Sequence, residues 1–346
     1  MKQKTWRRVA IILLVVASCI FPSVIILAEG MGDSSLSQGR PLPPELQNLP
    51  TIVAEAWLEV DPDPQNTVLE GPAFDKGGNL YVCRNSPASP EQKILKIAPD
   101  KTITTIWQGK AVPTGLALHK DGRLFAVCLT GEILIMQPDG TMLETLTPKY
   151  NGSSMVGNDL VFDKAGNLYF TDFKGLFTKP IGGVYRLDAA GGYTKITQII
   201  NNLALPNGIS LSPNGDVLWV AELGQNQILR AKLTAEGNLV PFAGVAITYR
   251  NTGDDETDSN RVDAAGNLYQ GMMGGGRILV LNKHGVPVAN IVVPRRDEDR
   301  NIMTPNLVIK PGTNEGYMMV AGIKGEGTWI YKFTALAEAE QLYSHQ

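Results

Sequence analysis

The sequence predicts an all-β protein, a six-bladed β-propeller with four antiparallel strands per blade and a last blade closed by an N-terminal strand. Three observations carry that prediction. A short pattern seen at 163–169 (DKAGNLY) recurs at 75–81 (DKGGNLY) and 263–269 (DAAGNLY), more loosely at 120–125 and 213–219, and in degenerate form at 310–317. Its glycines Gly78, Gly122, Gly166, Gly215 and Gly266 lie 44, 44, 49 and 51 residues apart, a spacing that marks repeat architectures. The 36 Gly and 22 Pro are spread along the chain, which suits short strands joined by turns and argues against long helices.

Residues 1–28 come first. Lys2, Lys4, Arg7 and Arg8 precede an apolar run from Val9 to Ala28, the pattern of an export signal. The run is also long enough to cross a bilayer as an uncleaved anchor, with its basic flank left in the cytoplasm. Either way the expectation is an exported, extracytoplasmic protein, secreted or membrane-anchored. Val16-Ala17-Ser18-Cys19 faintly resembles a lipoprotein processing box, but Ile20 to Leu27 stay largely apolar beyond it. Residues 29–50, rich in polar residues, Gly and Pro and without periodicity, read as a flexible linker. The propeller is expected over 51–346.

Each repeat then reads as four short strands. In the third, these are Asp159 to Phe162, Asn167 to Thr171, Val184 to Leu187 and Tyr193 to Thr197. The third strand recurs at 94–97, 133–136, 228–231, 278–281 and 329–332. Six units fit between Thr51 and the C-terminus. The last lacks a fourth strand after Phe333, and an open ring would leave unpaired edges. Ile52 to Leu58 is the predicted closing strand, with 335–346 either an alternative source or a short tail.

Composition removes several function classes. A formal charge of −3 gives no basic footprint for nucleic acid. Three cysteines (Cys19, Cys83, Cys128) form no CxxC or Cys/His cluster, which removes zinc-finger readings, and Cys83 and Cys128 read as buried free thiols. The three histidines, His119, His284 and His345, pair with no GxSxG-type serine, so a hydrolytic triad lacks its base.

The functional signal is a coincidence of phase. Five residues before each repeat turn stand Glu70, Thr114, Asn158, Asn207, Asp258 and Pro305. In a propeller the first strand of each blade lines the central channel, so these residues sit at one mouth of it. Glu70, Asn158, Asn207 and Asp258 bring two carboxylates and two amides together. An all-oxygen set of charge −2 suits a hard cation such as Ca²⁺ better than a soft metal. The competing reading is that Asn and Asp simply favour strand ends, or that a metal braces the ring. The loops 84–93, 172–183 and 271–277 emerge at the same mouth and are candidates for a pocket wall, with Gly274-Gly275-Gly276 a tight loop.

These residues carry a resemblance. Leu69-Glu70-Gly71-Pro72, Asn158-Asp159, Pro206-Asn207-Gly208 and Asp258-Ser259 resemble the regucalcin/gluconolactonase family of six-bladed propellers over roughly 51–334, and most of all its bacterial lactonases. The resemblance implies a metal-dependent lactonase with Ca²⁺, or another divalent cation, as cofactor. Its metal ligands would be Glu70, Asn158, Asn207 and Asp258, with Ser259 adjacent and contributing. Asn158 stands where relatives carry an acidic residue. No residue is carried over for a second, structural calcium, because Val156 in that neighbourhood is a poor side-chain ligand. The mechanism implied is Lewis-acid activation of a lactone carbonyl with a metal-held water, Asp258 moving the proton. Asp159 is expected to point off-axis in a structural role. The expected partner is a small-molecule lactone, with no nucleic acid, and the propeller is expected to be monomeric. The alternative is an exported, non-catalytic propeller that binds a small molecule or a protein at the channel mouth. An elimination on a streptogramin-type lactone would need a base the sequence does not supply.

Overall fold

The computed structural model describes residues 42–61, 67–322 and 325–346. The N-terminal segment 1–28 and most of the proposed linker lie outside the described residues. Among those described, no helix is long and apolar enough to cross a membrane.

Six small antiparallel sheets stand in a ring. From the inner strand outward, blade 1 is Val68–Phe74, Leu80–Asn85, Gln92–Ile97 and Ile103–Gly109. Blade 2 is Pro113–Leu118, Leu124–Cys128, Ile133–Met136 and Met142–Leu146. Blade 3 is Gly157–Phe162, Leu168–Asp172, Gly182–Leu187 and Ile196–Leu203. Blade 4 is Pro206–Leu211, Val217–Glu222, Gln227–Lys232 and Val245–Arg250. Blade 5 begins with Glu256–Val262, Leu268–Met273, Arg277–Leu281 and Pro287–Val292. Blade 6 is Leu307–Ile309, Glu315–Ala321 and Thr328–Thr334, closed by the N-terminal strand Glu55–Asp61. The inner strands touch one another around the ring, blade 6 against blade 1 included. The predicted fold is the observed one.

Two details of the closure differ from expectation. The closing strand is shifted toward Asp61, and Thr51–Val53 instead adds a parallel fifth strand to the edge of blade 5. The N-terminal segment therefore staples blade 5 to blade 6. The packed region also starts before Thr51. Leu46 is fully buried and packs with Leu42 and Leu49 against Trp219, Tyr249 and Leu279, and its carbonyl accepts a hydrogen bond from Asn290 Nδ2. In blade 3 the outer strand starts at Ile196, because Tyr193 adopts φ 64° in the preceding turn and its hydroxyl donates to the Gly166 carbonyl.

The recurrent DxxGNLY pattern has a physical cause. In blade 5, Asp263 Oδ1 accepts from the Ala265 and Asn267 amides, while Oδ2 accepts from Asn267 Nδ2 and the Tyr269 hydroxyl. Asp75 repeats this with Asn79 and Tyr81, and Asp163 with Asn167. The glycine closes the turn: Gly166 has φ 84°, a conformation that disfavours any residue with a Cβ. These turns define the lower mouth of the channel.

That mouth is covered by the C-terminal segment, which forms a tail across it and not a strand. Ala335 and Ala339 bond to blade 6 (Asn314 and Thr313 carbonyls), and Glu338 accepts from Ala264 of blade 5. Tyr343 packs edge-on against His119 of blade 2 and lies over Gly166 of blade 3. Above the tail, a channel cavity of about 70 Å³ is lined by inner-strand residues and by Glu340, Leu342 and Tyr343.

Candidate active site

The upper mouth is built from irregular strand starts. Pairing of the inner with the second strand breaks between Glu70 and Ala73, Gly157 and Leu160, Pro206 and Ile209, and Thr257 and Asn260. Such bulges release a strand's opening residues from strict alternation and re-aim their side chains. The four oxygen-bearing residues of the shared phase fall at these breaks, and Thr114 falls at a similar one between Pro113 and Gly115. Glu70, Asn158, Asn207 and Asp258 therefore lie inside the inner strands, where sequence reasoning puts them just before. The residue that follows is glycine in three blades for a reason of space. A Cβ on Gly115 would come within 2.8 Å of the Asn158 carbonyl, and one on Gly208 within 2.7 Å of the Asp258 carbonyl. Neighbouring inner strands can press together only because these side chains are missing.

Threonines and a glutamine fix the backbone of the site. Thr114 Oγ1 donates to the Asn158 carbonyl at 2.8 Å, Thr171 Oγ1 to the Asn207 carbonyl at 2.7 Å, and Gln270 Nε2 to the Asp258 carbonyl at 2.9 Å. Among the side chains, Asn207 hydrogen-bonds Asp258 and its Oδ1 accepts from Ser259 Oγ at 3.3 Å. Asn306 Nδ2 donates to Glu70 Oε2 at 3.0 Å. Glu70, Asn207, Asp258 and Ser259 are thus brought together by direct interactions or mutual charge. Asn158 shares their level through its strand, and its buried amide makes no hydrogen bond with the described residues.

The electrostatics are unusual for a strand end. Burial, then the charge of Asp258, pushes the Glu70 carboxyl well above the usual carboxylate range. Burial likewise pushes Asp258 well up, against the hydrogen bond from Asn207. A carboxylate pushed up by burial and by its carboxylate neighbour favours a proton or a cation. Among the described residues no three His, Cys, Asp or Glu side chains group as a metal cluster. A cation here would depend on the amide oxygens too, and an all-oxygen set fits a hard divalent ion.

Three features escape sequence reasoning. Asp159 does not point off-axis. It is fully buried, and its carboxylate takes both Arg261 Nη1 at 2.8 Å and Nη2 at 3.3 Å from blade 5, across the channel from blade 3. Arg261 alone is marked in the sequence, as the lone charge at a position that elsewhere holds Ala73, Ala117, Val161, Ser210 and Val308; its partner is not. Asn306, which holds Glu70, is the second. Glu256, on the strand of Asp258, is the third, its carboxyl pushed up to about 7 by burial and by Asp255 and Asp254. Around the mouth, the glycine run forms a tight turn in which the Gly275 amide bonds the Met272 carbonyl. Arg277 beside it is fully buried against Asp255, so it belongs to the scaffold.

The family model described as SMP-30/Gluconolactonase/LRE-like region matches residues 68–299. Lactonase drp35 of Staphylococcus saprophyticus is 36% identical over 325 residues, spanning 92% of this chain and 97% of the relative. The solved calcium-binding protein regucalcin from Agrobacterium tumefaciens superposes with a TM-score of 0.66 at 16% identity, over 85% of this chain and 99% of that one. A gluconolactonase structure from Xanthomonas campestris gives a TM-score of 0.64 at 19% identity, over 85% and 98%.

Proposed function

The chain belongs to the SMP-30/gluconolactonase/LRE-like family, and from that premise we propose that it is a lactone-hydrolysing enzyme whose site is the upper channel mouth. The observation that carries this reading is the pair of carboxylates, Asp258 buried and Glu70 half-buried, both raised at one end of the channel beside two amides. Purely structural acids in this fold, such as Asp263, are saturated with hydrogen bonds instead.

Glu70, Asn158, Asn207 and Asp258, with Ser259 beside them, are the residues we assign to hold a divalent cation, Ca²⁺ by preference for oxygen donors. The chemistry such an ion supplies when bound is Lewis-acid polarisation of a carbonyl. The chain's own residues do the rest. Asp258 carries a carboxylate at the mouth and is assigned to take a proton from the attacking water and return it to the leaving alkoxide. Asn207 orients Asp258 through its amide, and Asn306 fixes the Glu70 carboxylate. The basic-then-apolar segment 1–28 supports a further proposal, that the enzyme works outside the cytoplasmic membrane, secreted or anchored.

The test is turnover of a lactone panel by the purified protein, with and without chelator. Ring opening that chelator stops and Ca²⁺ restores is the expected result. Chelator-insensitive turnover would sink the cation assignment, and no turnover on any lactone would favour a binding propeller.

A further inference from the structure

The Asp159–Arg261 ion pair has a placement that a simple brace does not require. Asp159 directly follows Asn158 on the inner strand of blade 3, and Arg261 stands three residues after Asp258 on the inner strand of blade 5. Blade 4 lies between them, so the pair crosses the channel beneath the site. It is bidentate, with nitrogen–oxygen distances of 2.8 and 3.3 Å, and Arg261 Nη1 also donates to the Asn260 carbonyl at 2.6 Å. Asp159 is held from its own side as well, Oδ1 accepting from the Leu160 amide at 2.9 Å. Asp159 and the Asn260 carbonyl together fix the two terminal nitrogens of the guanidinium, as a planar fork permits and a flexible ammonium does not.

We propose that Arg261 and Asp159 are positioning residues, which set the separation between Asn158 and Asp258 and thereby tune the upper mouth for a divalent cation. The inference rests on the cation site described above. Each member is tied to one assigned ligand by one or three backbone steps, so the length of the ion pair fixes how far apart those ligands stand. The pair is also neutral as a unit. It leaves the two carboxylates Glu70 and Asp258 to define a site charge of −2, matched to one dication. Blade 4 has a parallel tie, Ser210 Oγ donating to Asn260 Oδ1 at 2.6 Å, which anchors the strand of Asn207 to that of Asp258. Three of the four ligand strands are thus cross-linked just below the ligands.

Removing Arg261 alone would leave a buried, unpaired carboxylate and risk the fold. The test therefore uses the double variant Asp159→Asn/Arg261→Met, which removes both charges, beside Arg261→Lys, which keeps the charge and loses the fork. Ca²⁺ affinity of chelator-stripped protein is measured by calorimetry, with thermal melting to confirm folding and kcat/KM on a lactone in parallel. The double variant is expected to fold and to bind Ca²⁺ roughly tenfold or more weaker, with Arg261→Lys between it and the natural protein. A folded double variant with unchanged Ca²⁺ affinity overturns the proposal and leaves the site assignment standing. If the natural protein titrates no divalent cation, the site assignment itself fails and the proposal with it.

Discussion

Asp258 and Asp263 lie five residues apart, at opposite ends of the inner strand of blade 5, about 16 Å of extended chain. Both are buried aspartates. Asp263, at the lower mouth, accepts four hydrogen bonds from its own turn and from Tyr269. Asp258, at the upper mouth, faces the Asn207 amide and the charges of Glu256 and Asp159, and sits well above the usual carboxylate range. The same contrast runs through the ring. Below, carboxylates are consumed in building turns and the C-terminal tail seals the opening. Above, bulges turn carboxylates and amides toward the axis with few protein donors to satisfy them. A saturated acid reports architecture; an unsatisfied buried acid reports a ligand or a reaction.

Substitutions at the two ends are expected to act differently. The largest effect is expected at the top: Asp258→Asn should lower kcat/KM for lactone opening by about 10²- to 10⁴-fold, with no loss of melting temperature when both proteins are melted in chelator. A variant that kept its activity would remove Asp258 from the chemistry. At the bottom, Tyr343→Ala should destabilise by about 3 kcal/mol in denaturant titrations, because Tyr343 is buried against His119 and Phe162. The activity per folded molecule should stay near that of the natural protein. Asp263→Ala should cost about 2 kcal/mol, since it strands turn amides and the Tyr269 hydroxyl, again without a matching change in kcat/KM.

A smaller effect sharpens the picture of the tail. Glu340 lines the channel cavity, and burial pushes its carboxyl up to about 8, with Lys164 opposing and Asp263 adding to the shift. Its folded pKa exceeds its unfolded one, so between about pH 4.5 and 8 the folded chain holds the extra proton. Stability is therefore expected to fall as pH rises through that window, and Glu340→Gln should flatten the fall. Equal slopes for both proteins in melting experiments across that range would show that Glu340 is not the group responsible.

Much of the architecture was legible in the sequence because it is periodic. The glycines Gly78, Gly122, Gly166, Gly215 and Gly266, whose spacing marks the repeats, all sit in left-handed turns, and the phase that groups Glu70, Asn158, Asn207 and Asp258 places all four at strand bulges. What escaped was aperiodic. The Asp159–Arg261 contact joins residues 102 apart across a ring, and no local pattern encodes which blade faces which over the axis. A short tail at 335–346 is one of the two expected alternatives, but its seat across the lower mouth belongs to no repeat; it is fixed by Tyr343 meeting His119 and the bare surface of Gly166. The closing strand was found in kind but not in register, because Thr51–Val53 and Glu55–Asp61 serve two different blades.

We propose one cation site at the upper mouth, made by residues of four blades. Calorimetric titration of the chelator-stripped protein with Ca²⁺, alongside Asp258→Asn and Glu70→Gln, tests it most directly. One saturable binding event in the natural protein, lost or strongly weakened in both variants, is the predicted result; at a Ca²⁺ concentration 100 times the Kd it would add about 2.7 kcal/mol of stability. Binding that survives both substitutions, or a natural protein that takes up no Ca²⁺, would contradict the account.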